Sequence, residues 1–290
     1  MRIAIAVIVL WTGYFVLLNR SSLCPVRTAL TDSSTVAAQR QFTDSISKKV
    51  RAVETEGAYR RWETPEGQMW MPADSDWLVK FLLAEQARGL YGNPVCRPGD
   101  VVLDCGAHVG VYTRHAIKNG ARLVVAIEPA PENRECLNRN LAQEIASGKV
   151  IVVPKGVWDR EDRLFLHRTA GNSGGDSITA DGRSGDLAAP LTTIDRLVEE
   201  FGLPRVDVIK MDIEGAERNA LAGARATLSR LRPRLSIATY HRSDDVEVVS
   251  GIALRSNPTY SIKCGTCARS ASAVSWFSYK RIVPEVLFFQ

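Results

Sequence analysis

Three places in the chain carry side chains whose types and spacing could do chemistry. The first is Val101-Val-Leu-Asp104-Cys-Gly106-Ala-His108-Val-Gly110-Val-Tyr-Thr113. It reads as a strand, an acid at the strand tip, glycines, then the start of a helix. Gly106 and Gly110 let the backbone turn sharply and approach a ligand with no Cβ in the way. The second is Leu123-Val-Val-Ala-Ile127-Glu128-Pro129, which ends another strand in a carboxylate 24 residues after Asp104. The third is Val206-Asp-Val-Ile-Lys210-Met-Asp212-Ile-Glu214-Gly215-Ala-Glu217, a strand followed by a lysine, three acids and a helix. Strand tips of open α/β sheets line the crevice in which such folds bind ligands.

A dinucleotide site would show G-x-G-x-x-G, with amides facing a pyrophosphate. Here the middle glycine is missing, and Asp104 would face phosphates with the wrong sign. The loop instead suits a ligand that carries an ammonium group. S-adenosylmethionine is such a ligand, and Glu128 is expected to accept its ribose hydroxyls. Methyl transfer from a sulfonium is an in-line displacement, which chiefly needs alignment and exclusion of water. A hydroxyl acceptor also needs a base near neutral pH. His241, at the tip of the strand Leu235–Tyr240, is the expected base, and Asp212 is its rival. Glu217 reads equally as a helix-capping acid. Asp212 with Glu214 could hold a divalent ion through oxygens, but no metal site is expected. His115 and His167 read as structural. The glycine-rich loop Asn172–Ser177 could cover the cofactor, and Trp158 could pack against adenine.

The elements that must position these groups alternate. Strands are expected at 101–103, 123–127, 150–153, 206–211 and 235–240. Helices are expected at 111–119, 132–147, 193–201 and 217–231. This pattern predicts an α/β fold with a mostly parallel sheet and helices on both faces. The last strands, at 260–263 and 285–289, have little helix between them and suggest an antiparallel pair at the sheet edge.

The run Asp104-x-Gly-Ala-His-x-Gly-x-Tyr-Thr resembles the FkbM family of S-adenosylmethionine-dependent methyltransferases. So do Ile-Glu128-Pro, Thr193-Ile-Asp195-Arg-Leu, Ile209-Lys-Met-Asp212-Ile-Glu214-Gly-Ala-Glu217 and the Tyr240-His241 strand end. The resemblance covers about Val101 to Tyr240 and implies a class I (Rossmann-like) methyltransferase fold with O-methylation of sugars or secondary metabolites. Carried over by position, Asp104, Gly106, His108, Gly110, Thr113 and Glu128 would bind the cofactor. Asp212 and Glu214, with His241, would sit at methyl transfer. The loop residue that is commonly Asn in the family is His108 here, and both can donate a hydrogen bond. Two other readings stand beside this one: a catalytically silent S-adenosylmethionine-binding module, and a nicotinamide-dependent oxidoreductase, which the missing glycine disfavours.

Composition bounds the rest. Of 290 residues, 37 are basic and 32 acidic, for a formal charge of +5. Eight basic side chains against four acidic ones fall in residues 19–61, and Arg2 supplies the remainder. The body is therefore neutral, without the footprint of a nucleic-acid binder. Six cysteines in a chain this long imply no disulfide framework, and Cys264-Gly-Thr-Cys267 lacks a second ligand pair for zinc. Ile3 to Leu18 is uncharged and almost wholly apolar, about 24 Å long as a helix against a hydrocarbon core of roughly 30 Å. It is expected to be a hydrophobic single-pass membrane anchor, with a cleaved signal peptide as runner-up. The basic residues after it lean towards a cytoplasmic body. The expected organisation is an anchor at 1–19, a stem and helical lead-in at 20–75, and the methyltransferase domain at 76–290. A small-molecule or glycan acceptor is the expected partner, and the sequence gives no oligomeric state.

Overall fold

The computed structural model describes residues 40–92, 96–265, 267–274 and 279–290. Within residues 20–75, a helix at 40–47 leads into strands β1 (Arg51–Glu56), β2 (Tyr59–Thr64) and β3 (Gly67–Pro72). They pair antiparallel in the order β1-β2-β3. The expected helical lead-in is thus corrected over 51–72. Left-handed Gly57 and Gly67 turn the chain at the two hairpins, where glycine avoids the steric cost of positive φ. A 3₁₀ turn, Asp76–Leu78, and helix α1 (Val79–Ala87) follow.

The central unit then alternates. It runs β4 (Val101–Cys105), α2 (Val111–Lys118), β5 (Leu123–Ile127), α3 (Pro131–Asn140), α4 (Ala142–Ala146) and β6 (Val150–Val153). A smaller four-stranded sheet comes from β7 (Gly156–Val157), β8 (Asp162–His167), β9 (Ser177–Thr179) and β10 (Leu187–Thr192), in the order β7-β10-β8-β9. The chain returns through α5 (Ile194–Glu200), β11 (Val208–Met211), α6 (Glu217–Ala222), α7 (Arg225–Arg230), β12 (Arg234–Ala238) and α8 (Asp245–Ser256). Strands β13 (Ile262–Cys264), β14 (Cys267–Val274), β15 (Tyr279–Pro284) and β16 (Val286–Phe289) close it, β14 pairing with β15.

The main sheet has seven strands in the order β13-β16-β12-β11-β4-β5-β6. From β12 to β6 every pair is parallel. β16 runs antiparallel to both β12 and β13. The antiparallel edge pair is therefore present, with the last strand inserted inside the edge. Strand alternation sends side chains to two cores. Leu103, Val125 and Ile209 pack with α5 to α8 on one face. Val102, Val124 and Val208 pack with Tyr112, Ala116 and Leu137 on the other.

Two long helices expected from periodicity are broken. α3 starts with Pro131 in its first turn, where the missing N–H costs nothing, and the chain leaves helical geometry at Leu141 before α4. Gly223 separates α6 from α7. A Cβ there would collide with the Trp158 carbonyl oxygen. Asp195 then caps α7, its carboxylate accepting from Ala226 N (3.0 Å), Thr227 N (2.8 Å) and Thr227 Oγ1 (2.6 Å).

The membrane placement requires correction. Among the described residues no helix is long and apolar enough to cross a membrane. The hydrophobic helix expected at 1–19 lies outside the described residues, so neither a single-pass anchor nor a cytoplasmic orientation of the body is retained.

Candidate active site

The ends of β4, β5 and β11 open into one cavity of about 960 Å³, counting its open mouth. His108 and Glu128 line it towards the β5 end and Lys210, Asp212 and Glu214 at the β11 end, with Gly106 between them.

Glu128 is 5% exposed. Its Oε2 accepts from His108 N at 2.9 Å. Its Oε1 accepts from Ala130 N at 2.9 Å and from Asn133 Nδ2 at 3.4 Å. Burial raises its pKa, opposed by these hydrogen bonds. A carboxylate offers about four lone-pair sites, so one remains for a ligand hydroxyl. His108 reaches Glu128 through a left-handed backbone (φ 51°). Its ring Nε2 lies 2.9 Å from Ser173 Oγ. Burial, aided by the Lys210 charge, lowers its pKa to about 4, so the imidazole is neutral at pH 7.

Asp104 is placed differently from the expectation. It is fully buried and is absent from the cavity wall. Its Oδ2 accepts from Thr113 Oγ1 at 2.6 Å, and Oδ1 lies 3.3 Å from Lys210 Nζ. Thr113, equally buried, is committed to that bond. Lys210 Nζ also donates to Gly106 O at 2.8 Å and stands over the Tyr91 ring, 5.2 Å from its centroid. Burial pulls the Lys210 pKa down, but Asp104 and Asp212 outweigh it and the net shift is upward. Asp104 and Thr113 thus support the wall that Lys210 and Gly106 present.

Gly106 has φ 76°, and a Cβ there would overlap the Asp212 carbonyl oxygen. Gly110 has φ 89°, and a Cβ would sit 2.8 Å from Leu141 Cδ1. The first glycine lets β4 and β11 ends touch, and the second seats α2 on the α3–α4 break.

At the other end, Asp212 accepts from Tyr91 OH and, at 3.3 Å, from Tyr240 OH. His241 follows Tyr240 and its side chain is 8% exposed. Nε2 lies 3.3 Å from Asp212 Oδ1 and 3.4 Å from Glu214 Oε1, while Nδ1 lies 3.1 Å from Glu217 Oε1. Burial lowers its pKa, but contacts with Glu214, Glu217 and Asp212 overcome this and hold it at about 11. Three carboxylates around the ring thus favour its protonated form when no other cation is present.

The glycine-rich loop lines the cavity through Ser173, Gly174 and Asp176, whereas Trp158 does not reach it. Three contributors carried no sequence signal strong enough to find them. Glu85 and Gln86 come from α1, and Tyr91 follows it. Asn133 was findable, since it lies on the first turns of α3 directly after the Glu128-Pro corner.

Residues 104–256 match the Methyltransferase FkbM domain family. The chain belongs to this family. Among curated proteins it is similar to the 31-O-demethyl-FK506 methyltransferase FkbM of Streptomyces tacrolimicus, with 28% identity over 156 residues, covering 44% of this chain and 60% of that protein. It is also similar to the AMB antimetabolite synthetase AmbE of Pseudomonas aeruginosa, 25% identical over 175 residues, 48% of this chain and 8% of that protein. The chain thus spans less than two thirds of the curated relatives it matches. A methyltransferase FkbM crystal structure from Methylobacillus flagellatus KT is 20% identical and covers 91% of this chain and 59% of its own, with a TM-score of 0.48. The FkbM domain comprises the main sheet from the end of β4 through α8 and contains every charged group at the two ends of the cavity, except Glu85.

Proposed function

We propose that this FkbM-family chain transfers the methyl group of S-adenosylmethionine to a hydroxyl of a sugar, glycan or secondary metabolite. The observation that carries the reading is one cavity with a glycine turn and a buried, hydrogen-bonded Glu128 at one end and Asp212 and Glu214 at the other. The donor set fits the cofactor. Glu128 keeps a lone pair for a ribose hydroxyl, and Ile127, Pro129, Val157 and Ile178 give apolar wall for a base. Lys210, on the cavity wall, can meet a carboxylate; Asp104, turned inward, cannot meet an ammonium directly.

When bound, S-adenosylmethionine supplies an electrophilic methyl on a sulfonium. The chain's part is to align and to move one proton. Glu128, itself held by the His108 amide, fixes the nucleoside end. Asp212, oriented by Tyr91 and Tyr240, receives the proton of the acceptor hydroxyl. Ser173 and Gly174, on the cavity wall, help to exclude water from the bound pair. The Streptomyces relative is named for methylating an O-demethylated compound, which favours oxygen as acceptor. The neutral body argues against nucleic acid.

The test is calorimetric titration with S-adenosylmethionine, followed by incubation with methyl-labelled cofactor and cell extract and identification of the labelled product. Absence of binding rejects the reading. Binding with no transfer to any extract component identifies the silent module instead.

A further inference from the structure

We propose that Asp212, Glu217 and His241, with Glu214 at the mouth, form a binding site for one divalent cation of the Mn²⁺ type. The sequence alone led to the opposite expectation. One donor atom from each of Asp212, Glu217 and His241 lies within 4.8 Å of the others, a cluster that small shifts of the carboxylates would close around an ion.

Two buried groups point to a missing partner. Glu217 is fully buried, and its Oε1 accepts from Ile213 N at 2.9 Å. Its Oε2 is equally buried and has no hydrogen-bond partner. An unmatched carboxylate oxygen in the interior is costly. His241, with a side chain 8% exposed, has neither ring nitrogen in a well-directed hydrogen bond, although carboxylate oxygens surround it.

Charge points the same way. Three carboxylates converge, and among the described residues His241 is the only cationic side chain within ion-pair distance of any of them. Lys210 is engaged with Asp104, and Arg218 with Asp244 and Asp245. One imidazolium cannot neutralise three acids, and a divalent ion that displaces its proton brings one further positive charge. Carboxylate and imidazole donors together suit Mn²⁺ or Zn²⁺, since oxygens favour the harder ions and imidazole the later ones.

The site is reachable because Asp212 and Glu214 line the cavity. An ion there would stand at the acceptor end and polarise the acceptor hydroxyl. That use rests on the methyl-transfer reading, whereas the binding itself does not.

The experiment titrates Mn²⁺ alone into the full chain after chelator treatment, with free Mn²⁺ read by electron paramagnetic resonance and heat by calorimetry. One saturable equivalent is expected. His241→Ala and Glu217→Gln, which remove ligands, are expected to weaken it by more than the roughly 10–100-fold usual on losing a partner that only supports a ligand. Glu214→Gln, nearer the surface, is expected to fold normally and to weaken it less. Lack of saturable binding by the wild type overturns the proposal, as does unchanged affinity in folded Glu214→Gln together with whichever buried variant folds. S-adenosylmethionine is titrated separately into the metal-free chain. Its failure to bind while Mn²⁺ binds rejects the methyltransferase reading and leaves the cation site standing.

Discussion

Asp104 and Lys210 are register partners on the adjacent parallel strands β4 and β11, and their side chains meet at 3.3 Å, the acid fully buried and the lysine nearly so. This one pair explains why an acid in the glycine loop and a lysine two residues before Asp212 occur together. Each strand tip is held against the other by opposite charge, and the cavity wall is built over the pair.

Removing one partner leaves a lone buried charge. Asp104→Asn and Lys210→Met should each destabilise the fold by about 3–5 kcal/mol, the usual cost of breaking a buried ion pair. The double variant should lose less than the sum of the two. Urea unfolding of all four proteins measures this, and strictly additive losses would show that the two charges are uncoupled.

The glycines of the loop differ in what they allow. At Gly106 an added Cβ meets the backbone of Asp212, which has no room to move, and at Gly110 it meets the tip of Leu141. Both positions also have positive φ, strained for any L side chain. Gly106→Ala should therefore be the more damaging change, costing upwards of about 3 kcal/mol by the strain and overpacking scale, with Gly110→Ala at roughly 1–3 kcal/mol. A thermal melt in which Gly110→Ala is the worse variant would contradict the assigned contacts.

The alternating strands and the acids at their tips were legible because a parallel sheet buried on both faces needs continuous apolar runs, as in Val101–Cys105 and Leu123–Ile127, and because strand ends must open on a crevice. What each acid faces was less legible. Asp104 reads from sequence as a ligand group, yet its partner Lys210 lies 106 positions away and is joined to it only by strand register. The acids around His241 were hidden for the same reason, since they come from a different strand and helix. The meander at 51–72 was missed since its strands, such as Arg51–Glu56, are exposed and charged. It docks through Asn140, whose side chain bonds Trp70 N (2.6 Å) and O (3.0 Å), and through the Arg139 guanidinium 4.7 Å from the Trp70 ring.

Glu128 gives the most direct check of the cofactor assignment. Glu128→Ala removes the ligand hydroxyl's acceptor and frees the His108 amide. Affinity for S-adenosylmethionine should fall by about 1.5–3 kcal/mol, the scale of a hydrogen bond to a charged group. Calorimetry reads this directly, and an unchanged dissociation constant would remove Glu128 from the site.

Glu85 links the cavity to pH. Burial, reinforced by the nearby Asp212 charge, raises its pKa from 4.5 to about 7. Between those two values the folded chain holds a proton that the unfolded chain has released. Stability therefore falls as pH rises through this window, and Glu85's contribution is fully present below pH 4.5 and gone above about 7. Asp176, raised from 3.8 to about 6 mainly by burial, adds a smaller slope of the same sign at lower pH. Glu85→Gln mimics the protonated form at every pH. It should match the wild type near pH 4.5 and exceed it at pH 8, by roughly 2–4 °C in Tm for each ~1 kcal/mol recovered. Melting curves across this range decide the matter: if wild type and Glu85→Gln stay parallel from pH 4.5 to 8, the carboxyl beside Asp212 does not titrate as described.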